Sequence, residues 1–403
     1  MINKLTTFLT LSLLTNTLVY SQPSPPPNIP NTQPIFRAYA GYPPCYRQPV
    51  LTILDQNHMI AFIEGRNNSY CSGTDDGNNS SIRLRTTQDG GLTWSSEIEL
   101  YHGHPDYLSA VYDSKIQRTH LFILNSPNLW TYSDDMGQSW SKLVPPTINI
   151  PSGISATPGV AHGIQLQGDL CSEPTCNGKV GRLLVAWVCH GKGMSEYKLR
   201  KTVKAMRNGY TDIVCPGCYS CLAYSDDHGT TWTIDATGIS NQDGTREASI
   251  VQLQSAGYNT KEAVIYATER NMGNNTGHRL HAISLDGGNS FSLFGADIGI
   301  PDSKVTNWTG IVAGATRFDG PSGSPNRIII STPSDPTQRA NMTLYTSLDE
   351  TITWSNGKLY TIGPAGYSDI GFINSTHGAI LFENGADEFA QQVSFGYFTS
   401  ENV

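Results

Sequence analysis

Past its first twenty residues the chain has no apolar run long enough to cross a bilayer, no cluster of basic residues, and no stretch whose apolar spacing reads as a helix. Each absence removes a class of function. A membrane span is not expected, and the end, GYFTSENV, carries no anchor signal. With 26 basic against 34 acidic residues, a balance of −8, the chain offers no footprint for nucleic acid. What remains is strand and turn. The apolar exception is MINKLTTFLTLSLLTNTLVYSQ, where Lys4 precedes a run from Leu5 to Val19 and small Ser21 allows cleavage. It reads as a removable secretion signal over residues 1–21. PSPPPNIPNTQP then reads as an extended, exposed linker over 22–34, which leaves Ile35 to Val403 as the folded part of an extracellular protein.

Eight cysteines fit that compartment, since an even count in a secreted chain favours disulfides. Cys171 and Cys176 suit a local loop. CPGCYSC, Cys215 to Cys221, reads as a stapled loop, because a zinc cluster needs a fourth ligand and a reducing compartment. Asn67, Asn78, Asn79, Asn274, Asn307, Asn341 and Asn374 each open an Asn-X-Ser/Thr triplet, as in a glycoprotein. A glycan at Asn78 or Asn79 would crowd the nearby Asp76, so these two are expected to be unmodified or turned away.

One phrase recurs five times: TTQDGGLTW, YSDDMGQSW, YSDDHGTTW, ISLDGGNSF and the worn TSLDETITW. It describes a tight turn between strands. The aspartate (Asp89, Asp135, Asp227, Asp286, Asp349) accepts backbone hydrogen bonds, and the glycine two positions on supplies a positive φ. The aromatic begins the next strand and buries its ring. Flanking runs such as RLLVAWV, EAVIYAT and RIIIST are short and β-branched, so the chain is all-β. The aromatics lie 46, 92, 59 and 63 residues apart, and 92 is twice 46, as if one unit had lost its turn. Units of that length suit the four-stranded blades of a propeller, about six of them here. The five aspartates are then structural.

The phrases resemble the Asp-box repeats of sialidases, six-bladed propellers that cleave terminal sialic acids. Other Asp-box propellers only bind, so the site residues must discriminate. A sialic acid carries a carboxylate on its anomeric carbon, and planar guanidinium forks suit that group. The resemblance places three arginines on it: Arg47 in YRQPVL, Arg270 in YATERN and Arg339 in STPSDPTQRANMTLYTSLDE. AFIEGR makes Arg66 a further pocket arginine, and Glu383 in ILFENG is similar to the glutamate that holds the first arginine. The substrate carboxylate would repel a carboxylate nucleophile, and sialidases use tyrosine instead. GPAGYSDIGF resembles that segment and marks Tyr367, with Glu247 in GTREASIVQL as its base, although Arg246 stands where the pattern has asparagine. Counting back from Asp89 favours Asp76 over Asp75 as the acid/base. VAHGIQLQGD and GRLLVAWVCHG resemble the family's central blade, and residues 191–221 form the main departure.

The reading that follows is a secreted, retaining exo-α-sialidase acting on sialylated glycans. It needs no cofactor and no metal. A trans-sialidase shares every residue named, a catalytically dead lectin needs only the arginines, and a protein-binding propeller gives the arginines no reason to converge.

Overall fold

The computed structural model describes residues 32–38, 43, 45–67, 80–103, 105, 107–191, 218–235, 245–272, 277–305, 308–319, 326–399 and 403. The secretion signal, most of the linker, Asp75 and Asp76, Cys71 and Cys215, and the triplets at Asn78, Asn79, Asn274 and Asn307 lie outside the described residues. Apart from three single-turn 3-10 segments, every regular element among the described residues is a β-strand, the all-β architecture expected. RLLVAWV becomes the strand Leu183–His190, in which every side chain is buried, and Val264–Asn271 is buried in the same way. Burial on both faces explains why Leu183–Cys189 is continuously apolar instead of alternating.

The strands form antiparallel sheets in chain order. The first joins Cys45–Ile53, Met59–Arg66, Ser80–Thr87 and Ile98–Gly103. The second joins Leu108–Asp113, Arg118–Ile123 and Leu129–Ser133, with Ala161–His162 added in parallel. The third is built on Leu183–His190 and Cys218–Ser225, and the fourth on Thr245–Leu253, Val264–Asn271, His278–Ser284 and Leu293–Pro301. A seven-stranded sheet runs from Gly314–Phe318 through the 15-residue strand Lys358–Phe372 and Gln392–Thr399 to Thr32–Arg37. Leading strands touch in a closed cycle: Cys45–Ile53 meets Leu108–Asp113, then Leu183–His190, Thr245–Leu253, Gly314–Phe318, Lys358–Phe372 and Cys45–Ile53 again. Thr32–Arg37 pairs with Gln392–Thr399, tying the first described strand to the last. The linker reading is therefore corrected for Thr32–Pro34, which are ladder residues. An edge strand tolerates a proline beside a register shift, and Pro34 sits at one.

Each turn phrase forms the same network. Asp89 accepts from Thr87 Oγ1 (2.8 Å), Thr93 N (2.9 Å) and Thr93 Oγ1 (2.5 Å), and Gly91 N donates to Thr87 Oγ1 (2.9 Å). The hydroxyl contacts of Asp135, Asp227, Asp286 and Asp349 repeat it. The aromatics pack on the preceding sheet. Trp140 lies 5.6 Å from Phe62, Trp232 4.9 Å from Phe122, Trp354 6.1 Å from Tyr266, and Trp94 reaches the last sheet at Phe395, 5.1 Å away. Only Trp232 heads a strand; the other four sit in the approach to one. Close approach also accounts for the glycines. A Cβ on Gly91 would fall 2.5 Å from the Phe395 ring, and one on Gly229 2.2 Å from His120. The fifth box has Thr351 at φ 74°, where a β-branched residue is strained.

Two disulfides stitch the third sheet and its approach, Cys171–Cys176 as expected and Cys189–Cys221. Cys45 and Cys218 are disulfide-bonded as well, so no described cysteine is left as a thiolate for zinc. At the centre, Asp369 accepts from Leu51 N (2.9 Å), His162 N (3.2 Å) and His162 Nδ1 (2.6 Å), pinning three strands together. Burial works against the charged imidazole, but the Asp369 carboxylate outweighs it and raises the His162 pKa above the usual 6.5.

Thr351→Gly should raise the stability measured by urea unfolding by about 1 kcal/mol, because glycine carries no left-handed penalty. The raised His162 pKa gives a stabilisation fully present below the unfolded value near ~6.5 and lost as pH rises through the folded one. The stability gap between wild type and His162→Gln should therefore be larger at pH 6 than at pH 9 in the same assay.

Candidate functional site

Three of the singled-out side chains sit in or beside bulges. Gln48 and Pro49 oppose Ile63 alone, Gln48 takes φ 65°, and Arg47, paired with Glu64, is the last ladder residue before the bulge. Arg246 and Glu247 oppose Arg270 alone. Gly366 and Tyr367 oppose Glu383 alone. A bulge sets two residues against one and re-aims a side chain, a device common beside active sites. The first two bulges lie toward the start of their strands and the third at the middle of the long strand Lys358–Phe372, and the groups beside them converge.

The convergence is tight. Arg47 Nε donates to Glu383 Oε1 at 2.7 Å, and the same oxygen takes Gln48 N at 2.8 Å. Glu383 Oε2 accepts Tyr367 N at 2.9 Å, so one fully buried carboxylate fixes both the arginine and the backbone under the tyrosine. Arg270 Nη1 donates to Glu247 Oε2 at 2.6 Å and to Tyr367 OH at 2.7 Å. The guanidinium carbons of Arg47, Arg270 and Arg339 lie 5.0, 5.8 and 5.1 Å from the Tyr367 ring centre. Three cations surround one phenol.

The three cations differ in their surroundings. Burial opposes the Arg270 charge, but Glu247 and the Tyr367 and Tyr107 hydroxyls hold its pKa above the ordinary arginine value. Among the described residues no carboxylate lies within ion-pair distance of Arg339. Its pKa is lowered to about 10 by burial, with repulsion from Arg47 and Arg270 acting the same way against the pull of Tyr367 and Glu383. Among the described residues two carboxylates, Glu383 and Glu247, meet Arg47 and Arg270, on a chain whose net charge is −8. Guanidinium forks of this kind fit a carboxylate.

Of the expected residues, Arg47, Arg270, Arg339, Glu247, Tyr367 and Glu383 are thus brought together. Arg66 is adjacent on Met59–Arg66, with its fork taken by Glu64 through Nε (2.9 Å) and Nη2 (2.7 Å). The backbone of Arg246 belongs to the bulge. Asp76 lies outside the described residues. Sequence reading missed Phe389, whose ring lies 5.1 Å from the Arg47 and 4.7 Å from the Arg339 guanidinium carbon, and Tyr107, packed in the same core cluster as Tyr367. No motif flags either. A hollow of about 580 Å³ bounded by Leu51, Tyr112, His162, Gln165, Arg317 and Phe372 opens at the other end of the same strands and contains none of the cluster.

Comparison with known proteins agrees with this geometry. The model of the BNR repeat-like domain family matches residues 57–380. A sialidase of Micromonospora viridifaciens is 26% identical over 372 residues, 85% of this chain and 50% of that protein, so the chain spans about half the length of this relative. The solved structure of Hadza microbial sialidase Hz136 superposes with a TM-score of 0.68 at 16% identity, covering 92% of this chain and 69% of the other. An intramolecular trans-sialidase from Ruminococcus gnavus gives 0.63 at 14% identity, covering 90% of this chain and 97% of the other. The β-propeller-like fold is shared with these structures, and the chain belongs to the BNR repeat-like domain family.

Proposed function

We propose that this protein is a secreted, retaining exo-α-sialidase. Its sheets are read as six blades of four strands, with the long strand Lys358–Phe372 shared by the fifth and sixth, a reading supported by the closed cycle of leading strands. Arg47, Arg270 and Arg339 clamp the carboxylate of a terminal sialic acid, and Arg66 extends the arginine lining. Asp76 protonates the departing oxygen. Tyr367 gives its proton to Glu247 and attacks the anomeric carbon, so that the bond to the aglycone breaks as the tyrosyl–sugar bond forms. Water activated by Asp76 then releases the sugar with retained configuration. Arg270 serves two steps, because the nitrogen that meets Glu247 also meets the phenol oxygen and stabilises it as its proton leaves. Glu383 holds Arg47 and the Tyr367 backbone in register.

The observation that carries the reading is three guanidiniums around one phenol with two carboxylates between them. An anion-binding lectin needs the cations but gains nothing from a phenol against Arg270 and Glu247. A second reading, intramolecular transfer, is favoured by one fact: the Ruminococcus gnavus trans-sialidase is matched over 97% of its length. In that case the sugar's own hydroxyl replaces water and the product is an anhydro sugar.

Hydrolysis of a fluorogenic 2-linked sialoside separates the readings. Wild type should release free sialic acid, and Tyr367→Phe should lose on the order of 10³-fold in kcat. Equal, slow rates for both would remove the enzyme reading, and an anhydro product would select transfer. Gly366 tests the support of the clamp. A Cβ there falls 2.2 Å from Glu383 Oε2 and 2.8 Å from Phe389 Cδ2. Gly366→Ala should displace the carboxylate that holds Arg47 and raise KM by roughly tenfold, measured with unfolding curves to show that the fold is retained.

A further inference from the structure

Within the proposed clamp, Arg339 differs from its two companions. Arg47 is tied to Glu383 and Arg270 to Glu247, whereas the described partners of the Arg339 guanidinium are two aromatic rings. Tyr367 lies 5.1 Å and Phe389 4.7 Å from its central carbon. Phe389 also takes Arg47, at 5.1 Å. A single ring therefore spans two of the three guanidiniums, while Tyr367 faces all three.

The segment presenting that ring is built to be firm. Residues 385–391 connect His377–Asn384 to Gln392–Thr399. Gln391 Oε1 accepts Ala386 N at 2.8 Å and Asp387 N at 3.1 Å, closing the turn from within, and Gln391 O accepts Ala38 N at 3.3 Å from the first described strand. Gly385 leaves no room for a side chain, because a Cβ would fall 2.1 Å from Glu388 O. Ala390 is 1% exposed, and Phe389 is half-buried between it and solvent. Against the cluster, the ring edge meets the backbone at Gly366.

We propose that Phe389 is a positioning residue of the carboxylate clamp, an aromatic plate that fixes the guanidinium planes of Arg47 and Arg339 so that both forks face one substrate carboxylate. The inference rests on the sialidase reading and adds to it the means by which an arginine without a carboxylate partner among the described residues is held. Like-charged guanidiniums would otherwise rotate apart toward water. A π face supplies attraction without a negative charge that would compete with the substrate for the forks, as a third glutamate would. The lowered Arg339 pKa agrees with this placement, since an ion pair would have raised it. Phe389 touches the arginines and not the reacting atoms, so its loss should act on binding.

The test uses the full chain with Phe389→Leu, which keeps apolar bulk and removes the π face, and Phe389→Trp, which restores a larger one. Substrate KM, kcat, and dissociation constants for sialic acid and its carboxamide would be measured alongside unfolding midpoints. In Phe389→Leu, KM and the acid's dissociation constant should rise about tenfold with kcat within about twofold, while carboxamide binding and the midpoint hold and Phe389→Trp recovers the affinity. Wild-type affinity for the acid in Phe389→Leu, or an equal loss for acid and carboxamide, overturns the inference alone. A wild type that neither binds nor cleaves sialosides overturns the sialidase reading, and this inference with it.

Discussion

Packing three guanidinium groups around one phenol is unfavourable unless something other than water stabilises the charges, and this constraint organises the molecule's centre. Two carboxylates meet most of it. Glu383 serves Arg47, Gln48 N and Tyr367 N together, so the arginine and the phenol cannot move independently. Glu247 serves Arg270, whose Nη1 also donates to the phenol oxygen. The third cation keeps its charge against burial and repulsion, which lowers its pKa to about 10.

The fold supplies the rigidity this demands. The turn phrases fasten one sheet to another through a buried or half-buried aromatic, in four of the five with a glycine that has no room for a side chain, and the first reaches the last sheet. Asp369 ties three strands at the centre, two residues along from Tyr367. The repeated aspartates stabilise turns and take no part in the cluster. Stability and chemistry are therefore written on different residues, and a worn phrase such as the one at Thr351 leaves the cluster intact.

The expected cluster assembled where each residue sat in a motif of several positions. GPAGYSDIGF and ILFENG carried enough neighbours to mark Tyr367 and Glu383, and the structure joins them through a 2.9 Å hydrogen bond. Phe389 carried no such signal, because its role depends on a loop whose path is set by Gln391 and by contact with Gly366. Tyr107 was illegible for the same reason: a tyrosine before a strand is ordinary until its partners are placed. The end of the linker misled in the other direction. Proline-rich sequence reads as exposed, yet Thr32–Pro34 find an open sheet edge.

The sequence by itself determined the strands, the turn that separates them and the residue types able to hold a carboxylate, because these follow from local chemistry: β-branched runs, aspartate–glycine turns and guanidinium forks. Tertiary structure alone decided which of those groups meet. The bulges at Gln48–Pro49, Arg246–Glu247 and Gly366–Tyr367 each set two residues against one, and only a partner strand can define such an offset. A one-residue shift in register turns a side chain to the other face of its sheet. Convergence of Arg47, Arg270, Arg339 and Tyr367 is thus a property of pairing between strands far apart in the chain.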